Sequence, residues 1–171
     1  MISRNKITGF TLIELLVVIA IIGILSTLAI VALSSARQKA RDSKRVADLN
    51  QIGKALELYY TSNNTYPVII TAGQPISDGS ATYLAAVPSN PSPKTDGGCP
   101  DQDYQYYLIT ATNTYVVSSC LGGATGSFNS GPVGYHSGSG ILNCGGTVVD
   151  RDGYTYRTVQ LGTQCWMAQD L

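Results

Sequence analysis

The sequence predicts an α+β protein in which one long N-terminal helix packs on a small antiparallel β hairpin or sheet. Three observations carry this prediction: an apolar run from Phe10 to about Leu33, an amphipathic continuation to about Ser62, and two β-rich runs between Tyr104 and Cys120. An apolar run of about 20 residues is long enough to cross a bilayer as a helix. We therefore expect a helix with a membrane-spanning half and an amphipathic half, followed by a polar domain.

The two halves of the predicted helix are joined without a helix breaker. Residues 10–33 contain no Lys or Arg and a single acid, Glu14. Beyond them, apolar side chains recur every three or four residues, which places them in one stripe on a helix. These are Val46, Leu49, Ile52, Leu56 and Tyr59. The helix is expected to end at Ser62-Asn63-Asn64, because Pro67 follows.

Residues 34–120 are predicted to form a globular domain around the second half of the helix. The stretch 66–103 is rich in Pro, Gly, Ser and Thr, which predicts a loop connector with one short helical turn at 81–87. The runs "YQYYLIT" and "TYVVSSC" predict a hairpin over 104–120. Its tyrosines are expected to pack on the helix, with a stacking surface for carbohydrate or single-stranded DNA as the alternative. They are Tyr104, Tyr106, Tyr107 and Tyr115.

Two further segments follow the hairpin. Residues 121–140 contain seven Gly and no charge, a composition typical of a flexible linker and a module boundary. Residues 141–171 regain β character in 154–161. The last 28 residues, 144–171, cannot bury a core of their own, so the tail is interpreted either as part of a larger β module or as a segment that packs on the preceding domain.

A short basic run follows the apolar segment, although the whole chain has a net charge of zero. Its basic residues face one acid, Asp42, and are interpreted as a solvated or interfacial face of the helix. They are Arg37, Lys39, Arg41, Lys44 and Arg45, whereas only Arg4 and Lys6 precede the span. Because basic residues favour the cytoplasmic side, this run argues for a cytoplasmic C-terminal part.

The cysteines argue for the opposite orientation. All four lie in the polar half, none is part of a CxxC, and His136 is the single histidine, so no zinc or haem site is predicted. An even number of cysteines behind a membrane segment indicates an oxidising compartment and disulfides. Of three possible pairings we favour Cys99–Cys120 and Cys144–Cys165. Each disulfide closes a loop and is expected to stabilise the folded chain by about 3 kcal/mol. We give the cysteines more weight than the basic run.

Glu14 is the residue that most needs an explanation. An acid inside a bilayer costs about 2.5–3.5 kcal/mol, so such residues usually have a partner and a role. The rest of the chain offers no nucleophile with a base and an orienting group, and no Gly-rich phosphate loop after a strand. The sequence therefore predicts no enzyme and no nucleic-acid partner.

The N-terminal segment resembles the class III signal of type IV pilins and type II secretion pseudopilins. The resemblance is carried by the basic leader "MISRNKITG", the Gly9-Phe10 junction, the acid at Glu14 and the unbroken apolar run. It implies a pilin-like fold, cleavage after Gly9 and N-methylation of Phe10. It also implies as partners the prepilin peptidase and methyltransferase, an inner-membrane assembly platform and ATPase, other pilins, and copies of the chain itself.

Cleavage after Gly9 would create a partner for Glu14. The new amine at Phe10 lies four residues from Glu14 on the same helix face and keeps its charge when methylated. A carboxylate–ammonium pair within one subunit or between neighbours would then set the register of a helical bundle built through residues 10–31. Glu14 is thus predicted to be an assembly residue, with a tolerated interfacial acid in a simple anchor as the alternative.

Two details concern branches of this family. Many relatives have a helix-loosening Pro where this chain has Val31. In this chain the weak helix positions are Gly23, Ser26 and Thr27. Residues 40–67, followed by "YLAAVPSNPSP" at 83–93, resemble the major-pseudopilin branch, which often binds Ca²⁺ near its C-terminal hairpin. Candidate oxygen ligands are Asp96, Asp101 and Asp103, with ordinary loop acids as the favoured interpretation.

Other interpretations remain open. Residues 144–167 resemble the opening of the Fibrobacter succinogenes major paralogous domain, an extracellular module, so a membrane-anchored binding or adhesion protein is one alternative. An ordinary signal peptide cleaved near Ala36 is another, although its apolar region would exceed the usual length of about 7–15 residues. The choice between a secretion pseudopilin and a pilus subunit also remains open.

Overall fold

The computed structural model describes residues 10–143, 147–149, 155–161 and 164–167. The chain divides into an N-terminal unit that ends at Arg37 and a globular unit that begins at Gln38. The described residues form one long helix and small antiparallel sheets, so the predicted α+β class is confirmed.

Helix α1 runs over Leu12–Asn63 and contains 52 residues. The helix continues without interruption through Gly23, Ser26 and Thr27, the positions expected to weaken it. The Thr27 hydroxyl donates to the carbonyl of Ile24. Asn64 ends the helix in the left-handed conformation, with φ of 55°, which asparagine tolerates better than most residues. The predicted continuous helix and its end at residues 62–64 are both confirmed.

The N-terminal unit exposes nearly all of its hydrocarbon. The large apolar side chains from Phe10 to Leu33 are exposed, and the segment is long and apolar enough to cross a membrane. An exposed apolar surface of this extent marks a site of contact with lipid or protein. The segment is therefore expected to be covered by lipid or by other protein chains.

Four strands form the main sheet of the globular unit. They are β3 (Gln105–Ile109), β4 (Thr114–Leu121), β5 (Gly131–His136) and β6 (Gly140–Asn143), each antiparallel to the next. Strands β3 and β4 are the predicted hairpin. Its turn includes Asn113, which adopts a positive φ of 49°.

The connector is less irregular than the sequence predicts. Strands β1 (Ile76–Ser77) and β2 (Thr82–Leu84) pair as a small two-stranded sheet. The helical turn predicted at 81–87 is therefore wrong. Asp78 explains the difference, because its carboxylate accepts from two backbone N–H groups just before β2 and closes a turn between the strands.

The flexible linker predicted at 121–140 is also wrong. Strand β5 lies within this range and pairs with β4, placing Val133 opposite Ser119, and Val133 is fully buried. The glycines serve tight connections between short strands rather than flexibility. Several adopt a positive φ, which glycine tolerates without steric cost: Gly126, Gly131, Gly138 and Gly140.

The tail adds a separate three-stranded antiparallel sheet. It consists of β7 (Thr147–Val149), β8 (Thr155–Leu161) and β9 (Gln164–Met167), in the order β7-β8-β9. Strand β8 confirms the β character predicted for 154–161.

The core lies between the second half of α1 and the main sheet. The predicted helix stripe supplies Leu49, Ile52 and Leu56, all fully buried. Strand β4 supplies Tyr115 and Val117, which are two residues apart and therefore face the same side of the sheet. The predicted packing of the hairpin on the helix is confirmed.

Gly53 allows the sheet to approach the helix backbone. A Cβ atom at this position would meet the ring of Tyr135 well inside contact distance. The Tyr135 ring also stacks on Tyr115, with centroids 6.2 Å apart and planes inclined by 5°. The Tyr115 hydroxyl donates to the Gly53 carbonyl at 3.1 Å. Glycine in the middle of α1 is thus explained by close packing.

Replacing Gly53 by Ala is expected to lower the free energy of unfolding by about 2 kcal/mol, because overpacking outweighs the better helix propensity of alanine. Denaturant unfolding of the full chain in detergent measures the loss. Gly23→Ala is the matched control, since a Cβ at this other α1 glycine meets nothing within 4 Å. An equal loss in a Tyr135→Val background would contradict the explanation, because the clashing ring is absent there.

His136 is buried on the opposite face of β5 from Tyr135. Its side chain is 5% exposed, and Nε2 has no hydrogen-bond partner among the described residues. Burial lowers the pKa of His136 to about 4. The folded protein therefore holds this imidazole in its neutral form.

The lowered pKa predicts a loss of stability in acid. The unfolded chain takes up the proton near pH 6.5 and the folded chain only near pH 4, so stability is complete above about pH 6.5 and falls towards pH 4. The loss attributable to His136 is expected to reach about 3 kcal/mol. Urea unfolding at pH 7 and pH 4.5, compared between the wild type and His136→Gln, isolates it from titrating carboxylates. An equal pH dependence in both chains would contradict the assignment.

Candidate functional site

The start of α1 places Glu14 in a specific local structure. The helix begins at Leu12, so Thr11 is the capping residue. The Thr11 backbone N–H and hydroxyl donate to Glu14 Oε2 at 2.8 and 2.7 Å, and the Glu14 backbone N–H donates to the Thr11 hydroxyl at 3.3 Å. This reciprocal arrangement is a capping box, which satisfies N–H groups that a helix start otherwise leaves unpaired.

The capping box orients the carboxylate and leaves part of it available. Both side-chain bonds go to Oε2, and within the described residues no donor contacts Oε1 and no cation pairs with Glu14. The side chain is exposed at the end of the helix, next to exposed Phe10. Gly9 lies outside the described residues, so cleavage after Gly9, methylation of Phe10 and an assembly role of Glu14 stay predictions.

This capping box is not among the features predicted from the sequence. The pattern Thr-x-x-Glu before an apolar run is a known signal for a helix start, and Thr11 and Glu14 have this spacing. In this chain the signal lies inside an apolar run that begins at Phe10 and is typical of a membrane span. Glu14 therefore stabilises the helix start in addition to any role in assembly.

The disulfide between Cys99 and Cys120 is present, as predicted. It joins the connector to the C-terminal end of strand β4. The second predicted pair is Cys144 with Cys165. Cys144 and the side chain of Cys165 lie outside the described residues, so this pairing stays a prediction.

The basic run is not simply a solvated helix face, and that prediction is wrong for Arg41 and Arg45. Arg45 is fully buried and pairs with Asp42 at 2.6 Å and with Asp96 at 3.1 Å. Arg41 binds Asp96 through two N–H groups, at 2.6 and 2.7 Å. The Arg41 guanidinium holds the pKa of the Asp96 carboxyl below its usual range.

The other basic residues of the run are exposed. Lys44 pairs with Asp48 at 2.8 Å, and Arg37 and Lys39 lie on the surface as predicted. Three of the five cations thus belong to ion pairs of the globular unit. Their presence is explained by the fold and needs no cytoplasmic interface.

The three calcium candidates do not meet in one site. The oxygens of Asp96 accept from Arg41 and Arg45, and those of Asp103 accept from Lys94 and from the Asn90 backbone N–H. Asp101 is exposed. Across the described residues, no group of three His, Cys, Asp or Glu side chains is arranged to hold a metal ion. Calcium binding by this chain stays a prediction.

Three of the four hairpin tyrosines support the core. The Tyr104 hydroxyl donates to Asp48 at 2.8 Å, and the Tyr106 hydroxyl donates to the Pro67 carbonyl at 2.7 Å. Burial, with the Asp48 carboxylate nearby, raises the pKa of Tyr104 well above its ordinary value. With Tyr115 buried beside them, the predicted packing on the helix is confirmed for these three, whereas Tyr107 is 40% exposed.

Comparison with known proteins identifies the N-terminal motif. The family model for the prokaryotic N-terminal methylation motif matches residues 4–33. The type II secretion system core protein G of Vibrio cholerae is 34% identical over 98 residues, covering 56% of this chain and 62% of that protein. The protein of the same name from Aeromonas hydrophila is 32% identical over 100 residues, covering 52% of this chain and 70% of that protein.

A pilus protein is also similar. The type IV wide pilus major component PilA4 of Thermus thermophilus is 52% identical over 58 residues, covering 34% of this chain and 44% of that protein. No solved structure matches the chain. The methylation motif, the long helix on an antiparallel sheet and these relatives together show that the chain belongs to the type IV pilin and type II secretion pseudopilin family.

Proposed function

We propose that the chain is a structural subunit of a type IV filament, made as a precursor, cut after Gly9, methylated at Phe10 and polymerised through its N-terminal helix. The observation that carries the proposal is the exposed apolar segment 10–33, which starts with an oriented carboxylate inside the methylation motif. On this proposal the protein is a building block and has no catalytic role.

The physical basis of assembly is the burial of this apolar segment. In the precursor, lipid covers it, because the segment is long enough to span the hydrocarbon core. In the filament, helices of neighbouring subunits cover it instead. The same side chains thus serve two environments, and transfer between them exchanges lipid contacts for helix packing.

Glu14 supplies the specificity that apolar packing lacks. An uncut chain offers no amine beside it, whereas cleavage after Gly9 places a charged amine at Phe10. We infer that Glu14 Oε1, left available by the capping box, accepts from this amine in the same or a neighbouring subunit. In a low-dielectric bundle, an unpaired carboxylate is costly, so only registers that pair it are stable.

The globular unit lies outside the cytoplasm on this proposal. The precursor crosses the bacterial inner membrane once, and the subunit then enters a periplasmic or surface filament. Support comes from the Cys99–Cys120 disulfide, which forms and persists in oxidising compartments. The partners would be other pilins, the prepilin peptidase and methyltransferase, and the assembly platform with its ATPase.

The secretion filament is the favoured setting. The relatives aligned over about 100 residues, beyond the N-terminal helix, are type II secretion proteins, while the pilus relative aligns over 58 residues. The longer alignments include part of the globular unit, which distinguishes branches better than the N-terminal motif does. We therefore propose a major-pseudopilin-like subunit.

Substituting Glu14 tests the assembly role. Glu14→Leu is expected to leave membrane insertion and leader removal intact and to reduce filament incorporation at least about tenfold, since a lost ion pair of about 1.4 kcal/mol or more per contact suffices. Sheared filaments are quantified by immunoblot against membrane-retained mature subunit.

Glu14→Gln separates the charge from the helix cap. Its amide oxygen still accepts from Thr11, so the helix start is retained while the negative charge is lost. We expect Glu14→Gln to be as defective as Glu14→Leu. Normal filaments from Glu14→Gln would show that capping alone accounts for the residue.

A further inference from the structure

The guanidinium of Arg45 lies inside a cage of oxygen atoms. It is fully buried and donates to carboxylates of Asp42 and Asp96 at 2.6 and 3.1 Å. It also donates to the Asn90 amide oxygen at 2.8 Å and to the carbonyls of Pro91 and Pro93 at 3.3 and 3.0 Å. One cation therefore gathers five oxygens from α1 and from the connector.

These oxygens are the types that calcium prefers. Protein Ca²⁺ sites use carboxylates, side-chain amide oxygens and backbone carbonyls, and the Arg45 cage contains all three. The side chain thus occupies the centre of a ligand set that would otherwise suit a hard cation.

The charges around the cage are already balanced. Four acids pair with four cations: Asp42 with Arg45, Asp48 with Lys44, Asp96 with Arg41, and Asp103 with Lys94. Of the three calcium candidates, only exposed Asp101 is left outside these pairs. A single carboxylate is insufficient, because Ca²⁺ takes about six to eight oxygen ligands.

The cage also reaches the end of strand β4. The backbone N–H groups of Gly122 and Gly123 donate to the two oxygens of Asp42 at 3.0 and 2.9 Å. These residues follow Cys120, whose disulfide partner Cys99 lies just beyond Asp96. The Arg45 cage and the disulfide therefore both hold the connector and the residues that follow β4 in place.

We propose that Arg45 takes the structural place of a divalent cation in this globular unit and holds the connector on α1 without calcium at Asp96, Asp101 and Asp103. The three carboxylates do not fit the calcium site that the resemblance to the major-pseudopilin branch implies, because arginine and lysine side chains occupy two of them. The positive charge at the centre of the cage is thus the guanidinium of Arg45, a residue of α1.

The test measures the Tm of the full chain in detergent, by near-UV circular dichroism, with millimolar CaCl₂ and with EDTA. We expect the two Tm values to agree within about 1 °C. In parallel, Arg45→Met is expected to lower Tm by about 10 °C, because it leaves the buried Asp42 carboxylate without its ion-pair partner. Arg37→Met, on the exposed part of the same helix, should change Tm by less than about 2 °C.

The decisive comparison uses the double variant Asp101→Asn/Asp103→Asn. A Ca²⁺-dependent rise in the wild-type Tm that this variant abolishes would overturn the proposal, as would an Arg45→Met chain as stable as the wild type. A rise that the double variant retains would also count against it, because Asp96 is intact in that variant, whereas Tm values that agree with and without Ca²⁺ support it. Isothermal titration with CaCl₂ alone gives the same comparison even if Arg45→Met fails to fold.

Discussion

The apolar surface of residues 10–33 is the constraint on which the rest of the account depends. In the described structure, its large apolar side chains are exposed. Water does not stabilise such a surface, so it must be held by lipid or by other helices. A precursor that resides in a membrane and a subunit that packs in a filament are successive solutions to one physical problem. On the proposed function, Glu14 makes this packing selective, because apolar packing alone does not specify a register.

The globular unit solves a different problem, which is to hold a loop-rich connector on one face of a single helix. Its apolar core joins α1 to the main sheet at Gly53 and Tyr135, where the absence of a Cβ permits ring-to-backbone contact. Polar contacts then position the connector, through the Arg45 cage and the Cys99–Cys120 disulfide. Breaking a buried charge network costs more than its formation contributes, so such a network favours one arrangement of the loops over others.

What the sequence predicts well is what local periodicity determines. The 3.6-residue stripe of Leu49, Ile52 and Leu56 predicts α1, and the β-rich runs that become β3 and β4 predict the hairpin. The misses come from contacts between distant residues. Arg45 looks solvated until Asp96, 51 positions away, is brought beside it. Residues 121–140 look like a linker because the pairing of β5 with β4 is invisible in their composition. The capping box of Thr11 and Glu14 has a local sequence signal, Thr-x-x-Glu, but this signal lies inside an apolar run whose composition indicates a membrane span.

The central claim is that residues 10–33 are retained and become the filament core. Mass spectrometry of the N-terminal peptide of the mature chain tests it most directly. The account predicts a chain that begins with N-methylated Phe10. A mature chain that begins near Ala36 would contradict the account, because the apolar helix and Glu14 would then have been removed as a signal peptide.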